Sequence, residues 1–517
     1  MAFKRDLSRA REIAKAWRHI PGSRPEPGRD RPDAIRRMMT IIMDLTNISS
    51  AARVGGATIF LALHLSIAAA VTVHALLNKR DVSAAIGWIG LAWLSPFMGA
   101  ALYLGFGVNR VTRRAHKIRR SRAMPGNQKA GRNSVNDPMA NLILAIGNIT
   151  NREIATGSIS APLHGGDEAY PRMLETIEGA QSEVFLSSYI FRADEIGHKF
   201  IDALARAHHR GAQVRVLIDG FGGGFLRSSA YRLLRANGVP AARFMHSALP
   251  WKMPFLNLRL HKKVLIIDGV VAFVGGLNIG DENVSVAGRA PLVRDAHFRI
   301  EGDVVKQNMG DFGEDWLFAT GEALESPARM SNPVAQASAL GRAVSSGPDQ
   351  DVDQLILVLA SAINAARRSI RIATPYFLPD SRVMSALELA ALRGVAVDLV
   401  LPAVNNHWLL GWAACAHIPP LLKAGCRIWR SPPPFNHAKI MTVDDHWCLI
   451  GSPNWDTRSL RLNFELAIEW HDRDLAGQLG LVINDSRGTR VTLAQLDSRW
   501  LIIKCRDAAA RLLMPYI

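Results

Sequence analysis

The chain has 517 residues, of which 48% are hydrophobic and 21% charged, and its formal net charge at pH 7 is +17. This length allows two or three domains, and this composition excludes a mainly disordered polypeptide. The four cysteines show no C-x-x-C spacing, so a disulfide scaffold is not expected and the thiols are predicted to be buried and reduced. The positive charge indicates an anionic partner, and nucleic acid and anionic lipid both fit on charge alone.

The first segment, residues 1–53, is a basic N-terminal arm rich in arginine, with Pro and Gly concentrated at 21–33. We expect most of it to be disordered or peripheral. It is not a signal peptide, because this whole arm precedes the first apolar run and no convincing cleavage site follows that run. Contact with a membrane surface and a solvated tail are both open.

Residues 54–109 contain two long uncharged stretches, Val54 to Leu77 and Val82 to Asn109, joined by four residues. Each exceeds the roughly 20 residues that cross the hydrocarbon core of a bilayer, which predicts a transmembrane helical hairpin. Basic residues crowd the arm and also residues 109–122, so both ends are predicted to lie in the cytoplasm. The alternatives are a buried soluble hairpin and a pair of interfacial helices.

The rest of the chain is predicted to be α/β. A basic linker at 110–150 leads to a lobe at 151–330, a second linker spans 331–350, and a second lobe follows at 351–517. In each lobe helical and strand patterns alternate twice at the start, which predicts mixed sheets flanked by helices. The predicted elements are a helix at 169–180, a strand at 183–191, a helix at 196–210 and a strand at 214–219, then their counterparts at 352–367, 369–374, 381–393 and 395–401.

A polar motif occurs twice, and its members lie 176 residues apart. The first copy comprises His261, Lys263, Asp268, Gly276 and Asn278, and the second comprises His437, Lys439, Asp444, Ser452 and Asn454. One H-x-K-x4-D match is weak evidence, but two in register, each with the same small-residue and Asn tail, indicate a duplicated unit.

The residue types of the motif suit phosphoryl chemistry. On a strand, His and Lys two positions apart project from the same face. Imidazole acts as nucleophile, base or acid near neutral pH, and a neighbouring ammonium stabilises an anionic oxygen. Two such units supply two imidazoles and two cations, so covalent phosphoryl transfer is predicted without a metal or another cofactor. The competing interpretation, in which each His only satisfies a buried hydrogen bond, fits a matched pair poorly.

At these motifs the chain resembles the phospholipase D superfamily, and within it the bacterial cardiolipin synthases. The matching segments are 261–282, 374–380 and 436–465. The resemblance implies two similar lobes packed as a pseudo-dimer around one active site, preceded by a two-helix membrane anchor. It also implies a covalent phosphatidyl-histidine intermediate that is attacked by an alcohol or by water.

The resemblance implies a role for each motif residue. His261 would be the nucleophile and His437 the acid and then the base, although two near-identical halves leave that order open. Asp268 and Asp444 would be mostly structural members of the two motifs. The other implied site residues are the phosphate ligands Lys263, Lys439, Asn278 and Asn454, the imidazole-orienting carboxylates Asp295 and Glu465, and the turn residues Gly276 and Ser452.

The predicted function is phosphatidyl transfer from one phosphatidylglycerol to another, with release of glycerol, at the bacterial inner membrane. The expected partners are anionic phospholipids and the bilayer, nucleic acid is not expected, and the oligomeric state is open. The alternatives are a phospholipase D that releases phosphatidic acid, a synthase that uses phosphatidylethanolamine, a nuclease of the same superfamily and a scaffold with a dead site.

Three further segments have an apolar character that suits lipid. They are residues 246–258, residues 405–422 and the final residues 500–517. For 405–422 a core helix is the competing interpretation. The last segment is similar to the amphipathic ends of the family, and a helix at the membrane surface and a helix packed on the second lobe are both open.

Overall fold

The computed structural model describes residues 31–79, 82–104, 138–224, 228–245, 258–285, 292–324, 339–347 and 353–512. The chain forms two compact units, residues 1–108 and 109–517. The beginning of the predicted arm at 1–30, the basic run at 109–122 and most of the apolar segment 246–258 lie outside the described residues.

The N-terminal unit consists of helices α1 (Arg31–Asn78), α2 (Val82–Leu94) and α3 (Pro96–Leu102). Within α1, the segment Gly56–Asn78 is long and apolar enough to cross a bilayer. It packs against the shorter helices through a small apolar cluster that includes Ala75, Trp88 and Tyr103. In addition, Trp93 Nε1 donates a hydrogen bond to Thr72 Oγ1 over 3.1 Å.

This unit differs from the prediction at two places. Helix α1 begins at Arg31, inside the segment predicted as a disordered arm, because 33–54 contains no Pro or Gly to interrupt it. The second apolar stretch forms two helices, since Pro96 has no N–H and starts a new helix after Ser95. Among the described residues, one helix therefore meets the length and composition of a membrane span, where two were predicted.

The larger unit alternates helices with strands. Its helices are α4 (Pro138–Thr150), α5 (Gly165–Glu178), α6 (Glu195–His209), α7 (Ser229–Ala236), α8 (Asp303–Thr320), α9 (Gln354–Ala365), α10 (Ser381–Leu392), α11 (Trp408–His417), α12 (Pro419–Ala424), α13 (Thr457–Arg461), α14 (Arg473–Asp485), α15 (Leu493–Asp497) and α16 (Leu501–Leu512). A short 3-10 helix lies at Asp281–Asn283.

Twenty strands accompany these helices. In the first lobe they are β1 (Ala155–Ile159), β2 (Leu163–His164), β3 (Glu183–Ser188), β4 (Gln213–Asp219), β5 (Ala241–Phe244), β6 (Val264–Ile267), β7 (Val271–Gly275), β8 (Val293–Arg294) and β9 (Ala296–Gly302). The others are β10 (Ala339–Ser346), β11 (Ser369–Ala373), β12 (Phe377–Leu378), β13 (Ala396–Pro402), β14 (Arg427–Ser431), β15 (Phe435–Asn436), β16 (Ile440–Val443), β17 (Trp447–Gly451), β18 (Trp455–Asp456), β19 (Glu465–His471) and β20 (Thr489–Val491). The eight helices and strands predicted at the starts of the two lobes are all present.

The two lobes have the same strand order, which confirms the predicted pair of similar α/β lobes. The first runs β9-β7-β6-β3-β4-β5 and the second β19-β17-β16-β11-β13-β14. In both lobes the pairs at the start of this order, such as β7 with β6 and β17 with β16, are antiparallel. The pairs β3 with β4 and β11 with β13 are parallel. Helices pack on the faces of this sheet and close apolar cores on both sides.

Strand β10 joins the lobes into one 16-stranded sheet, because it pairs antiparallel with β19 on one edge and with β1 on the other. It lies inside the segment 331–350 that was predicted as a linker, and α4 similarly lies inside the predicted linker 110–150. The Ala-, Gly- and Ser-rich sequence of β10 lacks a strand pattern, but Ala343 and Val344 are fully buried. Sheet context decides the structure here.

Candidate active site

The two H-x-K segments lie opposite each other at the interface between the lobes. Each directly precedes a strand, β6 or β16, and so is not itself part of the strand that was predicted. The backbone N–H of His261 donates to the carbonyl oxygen of Phe464 over 2.9 Å, and that of His437 donates to Arg294 over 2.7 Å. Phe464 and Arg294 each come directly before one of the orienting carboxylates, so each His is attached to the opposite lobe.

The imidazole side chains follow the same crossed arrangement. His261 Nδ1 lies 2.9 Å from Glu465 Oε2, and His437 Nδ1 lies 2.7 Å from Asp295 Oδ2. A carboxylate on Nδ1 favours the tautomer that carries its proton there and leaves Nε2 without a proton, and at His437 the ammonium of Lys439 also lies 2.8 Å from Nδ1. Each lobe therefore supplies the carboxylate for the imidazole of the other.

The motif lysines bend back toward the histidines. Lys263 Nζ donates to the carbonyl oxygen of His261 over 2.7 Å, and Lys439 Nζ donates to that of His437. Lys439 Nζ also lies 3.6 Å from Asp295 Oδ2. The intervening Lys262 points the other way, where its Nζ forms a buried ion pair with Asp315 at 2.7 Å. Lys263 and Lys439 thus place one cation beside each imidazole, and Lys262 attaches the first H-x-K segment to α8.

Burial dominates the protonation of the basic groups. It lowers the pKa of His261 to about 4 and that of His437 to about 3, in both cases against the attraction of the neighbouring carboxylate. Burial also lowers the pKa of Lys263 to about 7 and that of Lys439 to about 8. Before an anion binds, both imidazoles are therefore neutral at pH 7, which is the form that a nucleophile requires.

The carboxylates respond in the opposite direction. Burial by itself would raise the pKa of Glu465, but the charge and hydrogen bond of His261, followed by Lys263, lower it to about 2. Burial would also raise the pKa of Asp295, and Lys439 and His437 outweigh it, so that this pKa too is lowered. Both carboxylates are therefore ionised throughout the neutral range.

Glu465 is held by a larger set of donors than Asp295. Ser452 Oγ donates to Glu465 Oε2 over 2.5 Å, Asn463 Nδ2 donates to Oε1 over 3.1 Å, and Ser459 Oγ also donates to Oε1. At the position equivalent to Ser452, a Cβ on Gly276 would lie 2.3 Å from both Asp295 oxygens. The small residues of the motif thus differ in role, since Ser452 orients a carboxylate and Gly276 leaves room for one.

The motif aspartates lie at the far end of their strands from the imidazoles. Asp268 accepts backbone N–H groups of residues 181–183 at the start of β3. Asp444 accepts those of residues 367–369 at the start of β11. Each Asp lies seven positions after its His, which in extended chain is roughly 20 Å. Each aspartate therefore stabilises its own lobe, and the structure does not bring either one to the imidazoles.

The two motif asparagines differ in how far the fold occupies their side-chain amides. Asn278 Oδ1 accepts the backbone N–H of Ile190 over 3.2 Å. Asn454 is 6% exposed, its backbone N–H donates to Ser459 Oγ over 2.9 Å, and its Oδ1 is buried without a hydrogen-bond partner among the described residues. Part of the amide of Asn278 is thus occupied by the fold, whereas the buried oxygen of Asn454 has no such contact.

Comparison with known proteins places the chain in a family. The family model described as "Cardiolipin synthase, PLD-like domain" matches residues 173–316 and 359–484. The cardiolipin synthase of Geobacillus thermodenitrificans is 31% identical over 85% of this chain and 90% of its own length. The major cardiolipin synthase of Bacillus subtilis is 31% identical over 85% of this chain and 95% of its own length. The chain belongs to the cardiolipin synthase family.

The two family matches fall one in each lobe, in agreement with the shared strand order. The fold is also similar to that of the phosphatidylserine synthase of Haemophilus influenzae, with a TM-score of 0.54 and 14% identity over 73% of this chain and all of that protein. The resemblance to the cardiolipin synthases that the motifs suggested is thereby confirmed.

Two tyrosines complete the site of this family member. The Tyr189 ring centroid lies 4.8 Å from that of His261, and the Tyr376 ring centroid lies 6.3 Å from that of His437. Lys263 Nζ also lies 5.1 Å from the Tyr189 ring. Neither tyrosine was named as a site residue, although Tyr376 lies in the matching segment 374–380; Tyr189 directly follows β3, and Tyr376 lies three residues after the end of β11.

The described part of the chain contains no group of three or more His, Cys, Asp or Glu side chains placed to hold a metal ion. The site consists instead of two imidazoles, two ammonium groups and two carboxylates. Taken with both imidazoles neutral, the formal charges of these six groups cancel. A phosphodiester anion therefore adds one negative charge, which favours uptake of one proton.

Proposed function

We propose that the protein is a cardiolipin synthase that transfers a phosphatidyl group from one phosphatidylglycerol to the free hydroxyl of another. The observation that carries the proposal is the crossed pair of imidazoles, each with Nδ1 on a carboxylate of the opposite lobe. Such a pair supplies one nucleophile and one proton carrier on either side of a single phosphorus atom.

In the first step His261 Nε2 attacks the phosphorus of the donor lipid. The bond from phosphorus to the glycerol headgroup oxygen breaks, and protonated His437 gives its proton to that oxygen as glycerol leaves. The product is a phosphatidyl group bound to His261. His437 receives its proton when the phosphodiester binds, because the added negative charge opposes the effect of burial on its pKa.

In the second step a hydroxyl of a second phosphatidylglycerol attacks the same phosphorus. His437 Nε2 removes the hydroxyl proton, the phosphorus–nitrogen bond breaks, and His261 is released as cardiolipin forms. One phosphodiester replaces another. Throughout, Lys263 and Lys439 stabilise the non-bridging oxygens, and Asn278 and Asn454 are the further phosphate ligands of the proposal.

Burial of the site favours transfer over hydrolysis. His261 is 7% exposed, and the side chain of His437, the base of the second step, is 13% exposed, so little water reaches the group that would activate it. The hydroxyl of a lipid is less affected by this burial, because the acyl chains of the lipid favour an apolar surrounding. In the proposal, phosphatidylglycerol is both the donor and the acceptor.

We also propose where in the cell the protein is located. The apolar segment Gly56–Asn78 indicates membrane association. We place the protein in the bacterial cytoplasmic membrane, with α1 crossing it, the α2–α3 segment returning, and the larger unit in the cytoplasm. The basic residues on both sides of the apolar region support this orientation through the positive-inside rule.

The test uses purified full-length protein in phosphatidylglycerol vesicles, with lipid products resolved by mass spectrometry. Cardiolipin and free glycerol should appear in equal amounts with the wild type, and neither should form in repeated turnover with His261→Ala or His437→Ala. A phosphatidyl adduct trapped on His261 in the His437→Ala protein identifies the nucleophile, and an adduct on His437 in the reciprocal variant reverses the assignment.

Other products point to the alternatives. Phosphatidic acid as the main product makes the protein a hydrolase. Turnover that requires added phosphatidylethanolamine makes that lipid a co-substrate. Wild-type protein that converts none of these lipids refutes the proposal.

A further inference from the structure

Helix α16 near the C-terminus has two unlike faces. Asp507 and Ala510, at 2% and 4% exposure, face the second lobe, and Ile503 is partly covered on the same side. On this side α16 packs along α11, where Arg511 donates to the carbonyl oxygen of Ala416 over 3.2 Å. The helix is therefore fixed to the lobe by one side only.

The opposite side of α16 is apolar and uncovered. Ile502, Cys505, Ala509 and Leu512 follow one another at intervals of three or four residues and all are exposed, as is Leu501. At about 100° per residue these five side chains form one stripe along the helix. Leu501, Ile502 and Leu512 are each 76% exposed. We refer to these five residues as the exposed stripe.

Basic side chains flank the exposed stripe on both sides. Lys504 and Arg511 lie along one side of it and Arg506 along the other, at 100° per residue. Lys504 donates to the carbonyl oxygen of Asp497 and Arg511 to that of Ala416, so these contacts neutralise neither charge. Arg506 lies 4.0 Å over the ring of Trp412 and pairs with Asp507. The surface is thus an apolar strip with a cationic border.

Helix α16 is linked to the candidate active site through α11. Helix α11, on which α16 packs, begins directly after His407, whose ring lies 5.7 Å from Tyr376. Tyr376 in turn lies beside His437. At the start of α11, Trp408 is 58% exposed. The helix that carries the exposed stripe is therefore connected to the site through α11, His407 and Tyr376.

We propose that the exposed stripe of α16 docks the larger unit onto an anionic phospholipid surface, with the stripe among the acyl chains and its basic border at the headgroups. Apolar side chains between cationic ones are the pattern of an interfacial helix. A second copy of the chain is a poorer occupant, because pairing two stripes would bring like-charged borders together. The inference concerns where the unit sits and does not depend on the reaction proposed above.

The stripe contains its own probe position, Cys505. Of the other cysteines, Cys426 and Cys448 are buried and Cys415 is partly exposed. The experiment therefore uses full-length Cys415→Ser protein, labelled at Cys505 with an environment-sensitive fluorophore and reconstituted in vesicles of phosphatidylglycerol or phosphatidylcholine. In phosphatidylglycerol the emission should shift to shorter wavelength and be quenched by nitroxide-labelled acyl chains rather than by aqueous iodide.

A matched control carries the label on another exposed helix of the same unit. Glu175→Cys on α5, in a background with Cys415 and Cys505 replaced by Ser, should emit as in water and be quenched by iodide in both vesicles. Quenching of the Cys505 label by iodide to the same extent as this control, in phosphatidylglycerol vesicles, overturns the proposal. Protection of Cys505 that increases with protein concentration in lipid-free detergent also overturns it, because the stripe then binds a second copy.

An activity measurement separates docking from folding. Ile502→Glu changes an exposed residue, so it should leave thermal unfolding unchanged and abolish the emission shift. Turnover of phosphatidylglycerol vesicles should fall roughly tenfold or more, while turnover of a dispersed short-chain analogue stays within about twofold. Equal losses on both substrates overturn the docking role. If the wild type turns over neither substrate, the proposed reaction fails and the fluorescence result alone decides the docking proposal.

Discussion

The substitution Glu465→Gln tests the crossed arrangement most directly. Glu465 comes from the second lobe, accepts the Nδ1 proton of His261, and accepts further hydrogen bonds from Ser452, Ser459 and Asn463. An amide of the same shape replaces one acceptor oxygen with a donor NH₂ group. Since each carboxylate oxygen faces two donors, the amide nitrogen faces donors whichever way it is turned, and the buried imidazole loses its anionic partner.

The size of the effect follows from the pKa of Glu465. The shift from an ordinary 4.5 to about 2 corresponds to about 3 kcal/mol, at about 1.4 kcal/mol per pKa unit. Because the folded pKa is lowered, this stability is fully present above pH 4.5 and is lost as the pH falls through 2. The catalytic effect is larger, since an imidazole in the wrong tautomer costs on the order of 10⁴ in kcat. We expect kcat to fall roughly 10² to 10⁴.

The assay combines cardiolipin formation with urea unfolding of the detergent-solubilised protein between pH 2 and pH 7. Glu469→Gln is the matched control, because Glu469 is a fully buried carboxylate on the same face of β19. It accepts a hydrogen bond from Trp447 Nε1 over 2.8 Å, pairs with Arg342, and lies 3.4 Å from Nε2 of His471, which is not one of the two motif histidines. This control should lose stability and keep most of its kcat.

Two results would refute the reasoning. One is a Glu465→Gln protein whose kcat is within threefold of the Glu469→Gln control, which would show that the carboxylate does not act on His261. The other is a loss of stability that stays constant from pH 7 to pH 2, which would show that ionisation of Glu465 does not contribute to folding.

Three further predictions concern the lysines and the motif aspartates. Because burial lowers the pKa of Lys263 to about 7 and that of Lys439 to about 8, kcat/KM should decline as the pH rises through 7 to 8, and a pH–rate profile flat to pH 10 contradicts this. Asp268→Asn should lower the free energy of unfolding by about 1–3 kcal/mol, measured by urea titration, with a smaller effect on kcat than either His variant. Lys262→Met should destabilise the unit by about 3–5 kcal/mol by leaving Asp315 unpaired, and a second change, Asp315→Leu, should restore most of this in the same titration.

The lobes and their histidines could be predicted because they are encoded locally. His261 and Lys263 are two residues apart, and a repeat of the same pattern at a constant offset is visible without structure. The partner of each imidazole is not local, since 204 residues separate His261 from Glu465 and 142 separate His437 from Asp295. No periodicity carries that information, so the carboxylates could be named from the resemblance but their crossing required the fold.

The errors have equally specific causes. Strand β10 has the composition of a linker, and it forms a strand because its backbone pairs with β1 on one side and with β19 on the other. The second apolar stretch was predicted as one helix because a membrane helix can tolerate a proline, but here Pro96 divides the stretch into two helices. In both cases an average property of a segment was outweighed by one backbone requirement.

The crossed carboxylates also bear on how such a chain can evolve. Reciprocal contacts of this kind, in which one half supplies to the other what it receives, are those of a symmetric dimer of identical subunits. In a dimer of identical halves every substitution occurs on both sides at once, whereas in a single chain each half changes independently. The pairs Gly276 with Ser452 and Asp295 with Glu465 show that the halves have already diverged around their imidazoles. In a single chain each half thus needs the other for activity, while the surroundings of each imidazole can change independently.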